Sequence, residues 1–519
     1  GIPWYKRTLL GIPLWAILAG IAFVLLNLVS LEIYEKRREA KKRYRVPVEF
    51  HLLPQATERS AFVGHIAETK IRAFLDLDQL KMHTIISGST GSGKTIAAQV
   101  IAEEALMKKI AVIVFDPSAQ WTGFLRKCKE KYMLKHYKDF AMKPEDARAF
   151  NGNIHQVTDP RQILDISKYI VPGEIHIFTL NKLKPKEIDF FVANSIKQIF
   201  DMNPKESRDL KLLLVYDEVH RLLPKFGGTG EGLIQLERGC REFRKWGIGL
   251  ILISQVTADF VGAIKANILT EIQLRTREDS DLDRIKLKYG EDMLKAIVKA
   301  AIGTGMVVNP EYNRGRPYFI TFRPILHQVT RLDDEELEKY ARYNERIEQV
   351  EYNIEQIAKK KDVFDLKIEL KLALDKVKAG NWAMADIYLE GLEQRVKNEM
   401  QKLGIKEKKK EKKYVTVEEI KREVEKAKRE REIYKKKLEI EAKKERKIID
   451  IFEKVSKAYS DVKEQLTNAR KSGADVKEEE MKLTGLAGDL SVARAYRNKE
   501  KAEKILKELN ELKKSIDKK

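Results

Sequence analysis

The chain has 519 residues, which is too long for a single hydrophobic core, so two or three domains are expected. Its 100 lysines and arginines outnumber its 79 acidic residues, and the formal net charge of +21 favours polyanionic partners such as nucleic acid or an anionic membrane surface. Two cysteines without a C-x-x-C spacing exclude a disulfide-stapled fold, and the histidines show no spacing typical of a transition-metal site.

The first notable element is an uncharged apolar stretch from Leu9 to Leu31. As a helix it would span roughly 35 Å, enough to cross the hydrocarbon layer of a bilayer. It is too long for the apolar part of a signal peptide, and no small-residue cleavage site follows it. Residues 32–45 carry seven lysines and arginines, against two before the stretch. By the positive-inside rule, residues 1–45 are predicted to be the anchor of a single-pass cell-membrane protein whose bulk is cytoplasmic.

Residues 46–330 alternate apolar, β-branched runs with amphipathic stretches. This alternation predicts an α/β domain with a mostly parallel sheet that helices cover on both faces. Within it, residues 121–170 are charged and irregular, and we expect an inserted helical subdomain there. The predicted strands are His83–Ser87, Ile110–Phe115, Ile175–Leu180, Leu212–Tyr216, Leu250–Ser254, Ile268–Leu274, Met306–Val308 and Tyr318–Phe322.

The strand pattern stops after residue 330, and residues 331–519 are predicted to form a charged, all-α C-terminal region. Between Val417 and Ala469, apolar residues recur at spacings of three and four, which favours one helix of roughly 80 Å. A coiled coil with another chain and a helix packed against its own neighbours are both open. Residues 401–447 hold 20 lysines and arginines against 11 glutamates. That surplus suits a DNA backbone, although Glu–Lys pairs on a solvated helix explain it as well.

A glycine-rich loop follows the first predicted strand directly, and a helix is predicted from Ile96. Glycines in such a loop let backbone N–H groups turn towards a β-phosphate, and the N-terminal end of the helix adds its positive dipole. We expect Lys94 to neutralise the β- and γ-phosphates of ATP and the Thr95 hydroxyl to ligate Mg²⁺. The strand before the loop and the helix after it make a chance match a minor interpretation. The predicted nucleotide-binding residues are Gly88, Ser89, Thr90, Gly91, Ser92, Gly93, Lys94 and Thr95.

Two acids, Asp217 and Glu218, follow the apolar strand Leu212–Tyr216. At the C-terminal end of a strand in an α/β sheet, Asp217 is expected to hold Mg²⁺ through water and Glu218 to act as general base on the attacking water. Gln255 ends the strand Leu250–Ser254, where its amide can hydrogen-bond the γ-phosphate. No L-S-G-G-Q-like signature lies upstream of Asp217, which disfavours an ABC-type ATPase.

Three arginines, Arg238, Arg241 and Arg244, lie on the helix predicted before that last strand. An arginine that reaches the nucleotide of a neighbouring subunit could stabilise charge in the transition state. The alternative is that the three arginines form the solvated face of an amphipathic helix.

The order of these motifs resembles the HerA/FtsK superfamily over roughly residues 60–325. That resemblance implies a RecA-like P-loop domain, a homo-hexamer and movement of DNA, with Arg244 as the arginine that acts in the neighbouring subunit and Arg275 as a lesser candidate. The predicted anchor adds a resemblance to conjugative coupling proteins and DNA-transfer ATPases. The N-terminal β-barrel typical of HerA has no counterpart here, and the helical tail lies outside the family pattern. The motifs are Leu80-x-x-His83, the P-loop, Val114-Phe-Asp116-Pro117, Asp217-Glu218 with His220-Arg221, Phe243-Arg244-Lys245-Trp246-Gly247 and Ile253-Ser254-Gln255.

The leading hypothesis is a membrane-anchored, ATP-driven and Mg²⁺-dependent DNA translocase. Lys94, Glu218, Gln255 and Arg244 would be its catalytic residues, and Thr95 and Asp217 its metal ligands. The alternative is an ATPase that energises protein secretion or pilus assembly with channel subunits, and it would hydrolyse ATP without stimulation by DNA. A tether without enzymatic activity is a third reading, which predicts that Lys94→Ala leaves function intact.

Overall fold

The computed structural model of the chain describes residues 8–9, 12–13, 23, 27, 44, 48–256, 263–471, 475–495 and 499–516. Residues 1–427 form one compact unit and residues 428–519 a second. The predicted boundary at residue 330 is therefore not the boundary between the compact units.

Most of the predicted anchor lies outside the described residues. Two short strands, β1 (Thr8–Leu9) and β2 (Ile12–Pro13), pair in antiparallel fashion where the helix was predicted to begin, so Leu9 does not start it. Among the residues that the structure describes, no helix is both long and apolar enough to cross a bilayer. The span remains a prediction.

The remaining strands of the first unit build a single sheet of eleven strands. In chain order they are β3 (Ser60–Ile66), β4 (Arg72–Asp76), β5 (Thr84–Ser87), β6 (Ala111–Asp116), β7 (Gly152–Gln156), β8 (Ile175–Thr179), β9 (Leu212–Tyr216), β10 (Ile248–Ser254), β11 (Thr270–Leu274), β12 (Thr304–Val308) and β13 (Tyr318–Phe322).

The spatial order of the strands is β4-β3-β13-β12-β11-β5-β10-β9-β6-β8-β7. The strands from β11 to β7 run parallel, and those from β12 to β4 pair antiparallel. The prediction of an α/β fold with a mostly parallel sheet is confirmed. Because β10 lies between β5 and β9, with Ser254 opposite Ser87, the C-terminal ends of these three strands meet at one edge of the sheet.

Helices cover both faces of this sheet. Neighbouring residues of the central strands, such as Ile85 and Ile86, belong to different hydrophobic clusters, because successive side chains of a strand point to opposite faces. This explains the continuous apolar runs of the sequence. The helices that precede residue 330 are Lys94–Met107, Lys131–Leu134, Pro185–Met202, Glu231–Glu242, Ala263–Ala266, Asp279–Tyr289 and Glu291–Val298.

The structure differs from the helical subdomain predicted at residues 121–170. The segment holds one four-residue helix, several 3-10 turns and β7, the outermost strand of the parallel half of the sheet. The polar residues Asn153, His155 and Gln156 hid this strand from the apolar pattern. An edge strand tolerates them because one of its sides is covered by later parts of the chain.

Three helices after residue 330 pack in the first unit: Asp334–Ala358, Phe364–Lys378 and Trp382–Lys402. Tyr340 and Tyr343 of the first helix are buried in the same cluster as Ile154 of β7. The Asn344 side-chain amide donates to the Ile154 carbonyl at 2.7 Å, so the helix covers the open edge of the sheet.

The helix Val417–Lys471 has the length that the sequence predicted. Its apolar residues Val455, Val462 and Leu466 are buried by side chains of the last two helices, Lys477–Ala495 and Lys499–Ile516. Packing within the chain therefore accounts for this part of the pattern.

Candidate nucleotide-binding site

The glycine-rich loop has the backbone that its glycines were expected to permit. Gly91 and Gly93 have φ values of 75° and 99°, a region that disfavours side chains. A Cβ atom at Gly93 would lie 3.0 Å from the backbone nitrogen of Gly303, whereas nothing lies within 4 Å at Gly91. The loop is thus packed against the chain on one side and open on the other.

The loop is tied to the strand end beside it. Both the backbone nitrogen and the hydroxyl of Ser89 donate to the Arg275 carbonyl at 2.9 Å, and the Gly303 nitrogen donates to the Ser92 carbonyl at 3.0 Å. The Ser92 hydroxyl is buried and has no hydrogen-bond partner in the described part of the chain. A buried donor without a partner costs stability, so this hydroxyl fits the oxygen of a bound anion.

Lys94 starts the helix Lys94–Met107 and is 8% exposed. Its ammonium donates to the Ser89 carbonyl at 3.3 Å, across the loop. Burial lowers the pKa of Lys94, and the charges of Glu218 and Asp217 oppose that shift. The structure therefore brings the loop lysine and both predicted acids into one site.

Asp217 is buried at the end of β9. Its carboxylate accepts a hydrogen bond from the Trp121 indole nitrogen at 3.0 Å and from the Glu218 backbone nitrogen at 2.8 Å. Burial and the neighbouring Asp116 raise the pKa of Asp217. Asp116, at the end of β6, accepts from the backbone nitrogens of Trp121 and Ser118, both at 2.8 Å. Two buried carboxylates side by side would be stabilised by a cation.

The donor set suits the predicted Mg²⁺. Carboxylate and hydroxyl oxygens, as on Asp217 and Thr95, are the ligands that this ion takes beside waters and phosphate oxygens. When bound, the ion would draw negative charge from the β- and γ-phosphates. Lys94 would supply a second positive charge to the phosphates, and the loop amides would orient them.

Glu218 has a φ of 53°, an unusual value for a residue with a side chain. One of its carboxylate oxygens accepts from Arg221 Nε at 2.9 Å and lies 3.7 Å from His220 Nε2. The other ring nitrogen of His220 accepts from the Gln255 backbone nitrogen at 3.4 Å. His220 thus connects the predicted general base to the predicted γ-phosphate ligand.

The candidate arginines differ in their contacts and in their exposure. Arg238 pairs with Glu423 at 3.0 Å and Arg241 with Glu237 at 3.2 Å, so both have partners within their own chain. Arg244 is exposed. The carbonyl of Arg275 accepts from Ser89, which places that residue beside the loop of its own subunit.

His83, the last residue of the Leu80-x-x-His83 motif, is fully buried at the start of β5. The Leu250 backbone nitrogen donates to its Nδ1 at 3.0 Å, so Nε2 carries the proton and donates to the Cys240 carbonyl at 2.9 Å. The neutral ring joins β5, β10 and the helix Glu231–Glu242. Burial lowers the pKa of His83 to about 4, and the Arg244 charge adds to that shift.

This pKa predicts a loss of stability in mild acid. Between pH 6.5 and about 4 the unfolded chain binds a proton at His83 and the folded chain does not. The stability that the neutral ring contributes is therefore complete above pH 6.5 and decreases as the pH falls below that value. From pH 7 to pH 5 the free energy of unfolding should drop by about 2 kcal/mol more in the wild type than in His83→Asn. Urea unfolding followed by tryptophan fluorescence measures both; equal slopes with pH would contradict the assignment.

Comparisons with known proteins agree with the resemblance that the sequence motifs indicated. Residues 61–191 match the family model described as the central domain of helicase HerA. A DNA double-strand break repair helicase HerA from Sulfurisphaera tokodaii is 28% identical over 154 residues. The chain resembles the HerA-type motor ATPases. The match to that relative covers 28% of this chain and 30% of the relative's length. The residues that match the family model include the glycine-rich loop. The family match ends before Asp217.

Solved structures give a looser likeness. VirB4 of Thermoanaerobacter pseudethanolicus is 14% identical, with a TM-score of 0.35, and the alignment covers 53% of the HerA-like chain and 98% of VirB4. The pCW3 conjugation coupling protein TcpA, in its monomer form with ATPγS, is 15% identical, with a TM-score of 0.31 and coverage of 59% and 76%.

Two contacts of the site were not predicted from the sequence, although Arg221 belongs to one of the quoted motifs. Trp121 contacts the carboxylate of Asp217, and Arg221 holds that of Glu218. Arg221 stands three residues after Glu218, so the spacing of a helical turn could have suggested the pair. Nothing in the local sequence connects Trp121 with a residue 96 positions away.

Trp121→Phe tests the contact with Asp217, since the phenyl ring keeps an aromatic side chain in the core and removes the indole donor. Loss of a hydrogen bond to a metal-ligating carboxylate typically weakens metal affinity by about 10- to 100-fold. The Mg²⁺ concentration for half-maximal ATP hydrolysis should therefore rise at least about tenfold. Mn²⁺ binding in the presence of an ATP analogue, followed by electron paramagnetic resonance, should weaken in parallel. Trp246→Phe is the matched control, because no acid accepts from its indole in the described chain; an equal change in both variants would refute the contact's role.

Proposed function

We propose that this protein is a membrane-anchored, ATP-driven DNA translocase that acts as a homo-hexamer. The observation that supports it most is the convergence of the loop lysine Lys94, the acids Asp217 and Glu218, and Gln255 at the ends of adjacent strands. The matched relative is by its name a DNA helicase, and the net charge of +21 suits a polyanionic cargo.

The chemistry follows from the placement of the side chains. The loop amides and Lys94 would orient the γ-phosphate, and Asp217 with Thr95 would hold Mg²⁺ against it. Glu218 would orient the attacking water, and Gln255 would hydrogen-bond the γ-phosphate. His220 contacts both Gln255 and Glu218. A movement of Gln255 on loss of the γ-phosphate would therefore be passed through His220 to Glu218, which would couple hydrolysis to the conformation of the strand ends.

The membrane anchor rests on the sequence. After Pro13, residues 14–31 carry no charge and would span roughly 27 Å as a helix, within the range of a tilted or slightly thinned bilayer. Extraction from membranes by detergent, but not by high salt or carbonate, is the expected behaviour. Release by salt alone would refute the span.

DNA-stimulated ATP hydrolysis tests the cargo. We expect duplex or single-stranded DNA to raise the rate of ATP hydrolysis, and the stimulation to fall steeply with salt as counterion release requires. Absence of stimulation by any DNA, together with co-purification of channel or secretion subunits, would instead favour an ATPase of protein export.

The hexamer predicts complementation between subunits. Arg244→Ala should abolish hydrolysis only because the neighbouring nucleotide lacks its arginine, and an arginine of this kind contributes about 10³- to 10⁵-fold to the rate. A mixture with Lys94→Ala subunits should recover part of the activity, since some interfaces then combine an intact loop with an intact Arg244. Lys245→Ala, an exposed neighbour, should keep the wild-type rate. If mixtures stay inactive while mixed oligomers form, Arg244 does not act across subunits.

A further inference from the structure

A basic segment leads from the helix Trp382–Lys402 to the helix Val417–Lys471. Residues 406–413, called the basic strap here, read KEKKKEKK, with six lysines and two glutamates. Most of the lysine side chains are exposed. The strap therefore presents a dense positive charge over a short length of chain, outside the part that matches the HerA family.

The backbone of the strap is held in place at both ends. Near its start, the Gln349 side chain donates to the Lys408 carbonyl and accepts from the Lys410 nitrogen, both at 2.9 Å. At its end, the Ile163 nitrogen donates to the Lys413 carbonyl at 3.0 Å, and Gln162 and Tyr414 form a β-bridge. These contacts hold the backbone of the strap in place, so less conformational entropy is lost when the strap binds a ligand than when a flexible linker does.

The second anchoring point relates the strap to the ATPase sheet. Arg161 and Gln162 follow β7, so the strap crosses the C-terminal end of that strand. In this sheet the C-terminal ends of the parallel strands also carry the nucleotide site. The strap thus lies on the same edge of the sheet as the nucleotide site, at its outer end.

Four of the six lysines have no ion pair among the described residues. Lys409 and Lys410 pair with Glu345 and Glu348. The lysines without an acidic partner are Lys406, Lys408, Lys412 and Lys413. Structural salt bridges do not account for these four charges.

The chemistry around the strap favours nucleic acid over a lipid surface. Tyr414 follows the strap directly and is 46% exposed, with the Arg161 guanidinium 5.5 Å from its ring centre. An exposed aromatic ring beside a row of lysines is the combination that binds a nucleic-acid backbone and stacks on a base. No large aliphatic side chain stands between residues 406 and 413 that could insert into a bilayer.

We propose that the basic strap binds the phosphate backbone of the DNA that the ATPase moves, with Lys406, Lys408, Lys412 and Lys413 as the contacts. The proposal rests on the proposed function, because it assigns a surface to the same cargo. The strap recognises no base sequence, since lysines on phosphates carry charge but no base-specific pattern.

The test compares two variants with the same loss of charge. In the strap variant Lys406, Lys408, Lys412 and Lys413 are changed to Gln; in the control Lys454, Lys457, Lys463 and Lys507, exposed lysines of the second unit, are changed to Gln. Anisotropy of fluorescein-labelled DNA of random sequence measures the Kd between about 50 and 200 mM salt. Circular dichroism checks that both variants are folded.

The slope of log K against log salt should shrink by about 3 in magnitude, so at about 100 mM salt the strap variant should bind DNA roughly 10³-fold more weakly than the wild type. Substituting Arg for the four lysines should restore both values, because phosphate contacts require charge rather than lysine itself. The control variant should bind as the wild type does. Wild-type affinity in the strap variant, or an equal loss in the control, would overturn the proposal.

The outcomes distinguish a failure of the strap proposal from a failure of the proposed function. If DNA stimulates the wild type and the strap variant equally, the strap is not the contact and the translocase stands. If DNA neither binds nor stimulates the wild type, the translocase fails first. Strap-dependent sedimentation with phosphatidylserine vesicles, without any effect on DNA binding, would assign the surface to a membrane instead and overturn the proposal.

Discussion

Substitution of Lys94 by Ala should abolish ATP hydrolysis, with a fall in the rate of at least about 10²- to 10³-fold, because one positive charge that faces the phosphates in a buried site is lost. Lys94 is 8% exposed, and the charges of Asp217 and Glu218 act on it. Steady-state phosphate release measures the rate, and equilibrium binding of a fluorescent ATP analogue should weaken in parallel.

The same variant should be at least as stable as the wild type without nucleotide. Burial lowers the pKa of Lys94, which means that the folded protein holds this charge at a cost in free energy. Removal of the side chain removes that cost, so the thermal midpoint should stay or rise while activity disappears. Lys108→Ala, at the other end of the same helix, is the control and should hydrolyse ATP normally. A Lys94→Ala protein with normal turnover would place the nucleotide elsewhere.

The glycine-rich loop and the strands around it could be predicted from the sequence because the patterns that mark them are local. A strand, a glycine-rich loop and a helix stand next to each other in the chain, and the strands Leu212–Tyr216 and Tyr318–Phe322 have the predicted limits. Buried parallel strands are apolar throughout, so their ends are easy to read. Polar residues at those ends then fall on the edge where ligands bind. The catalytic roles of Glu218, Gln255 and Arg244 stay predictions.

What the sequence did not predict depends on contacts between distant segments. The polar residue Asn153 of β7 is buried because its side-chain amide donates to Asn344 Oδ1 at 2.8 Å, 191 positions later in the chain. Arg323 is fully buried although it carries a charge. It can be buried because it pairs with Glu103 and Glu104 of the helix Lys94–Met107 at 2.6 and 2.8 Å. Such networks follow from tertiary packing, and no local periodicity marks them.

The buried network also connects the helix Lys94–Met107 to the acids at the end of β9. Glu103 accepts from Arg323 and from the His327 ring at 2.6 Å, and the His327 ring stacks on Phe124 at 3.7 Å. Phe124 in turn stacks on Trp121, the donor to Asp217. The C-terminal half of the helix Lys94–Met107 and the end of β9 are therefore joined by a continuous series of side-chain contacts.

Glu218→Gln separates ATP binding from hydrolysis. The amide oxygen of Gln can still accept from Arg221, so the loop that follows β9 should keep its conformation while the negative charge that polarises water is lost. Hydrolysis should fall by about 10²- to 10⁴-fold, with ATP affinity within a few-fold of the wild type. Filter binding should therefore recover intact ATP on the protein after times at which the wild type holds only ADP.

The control for this substitution is Glu231→Gln, which makes the same chemical change at the first residue of the helix Glu231–Glu242 and should leave turnover unchanged. Single-turnover measurements decide the outcome, since they report the chemical step without product release. Two results would contradict the role of Glu218. Normal turnover would mean that another group activates the water, and weak ATP binding would mean that Glu218 shapes the phosphate site rather than the attacking water. Because Arg221 Nε donates to the Glu218 carboxylate at 2.9 Å, trapping of intact ATP by the amide variant would also show that the phosphate site forms without the charge of Glu218.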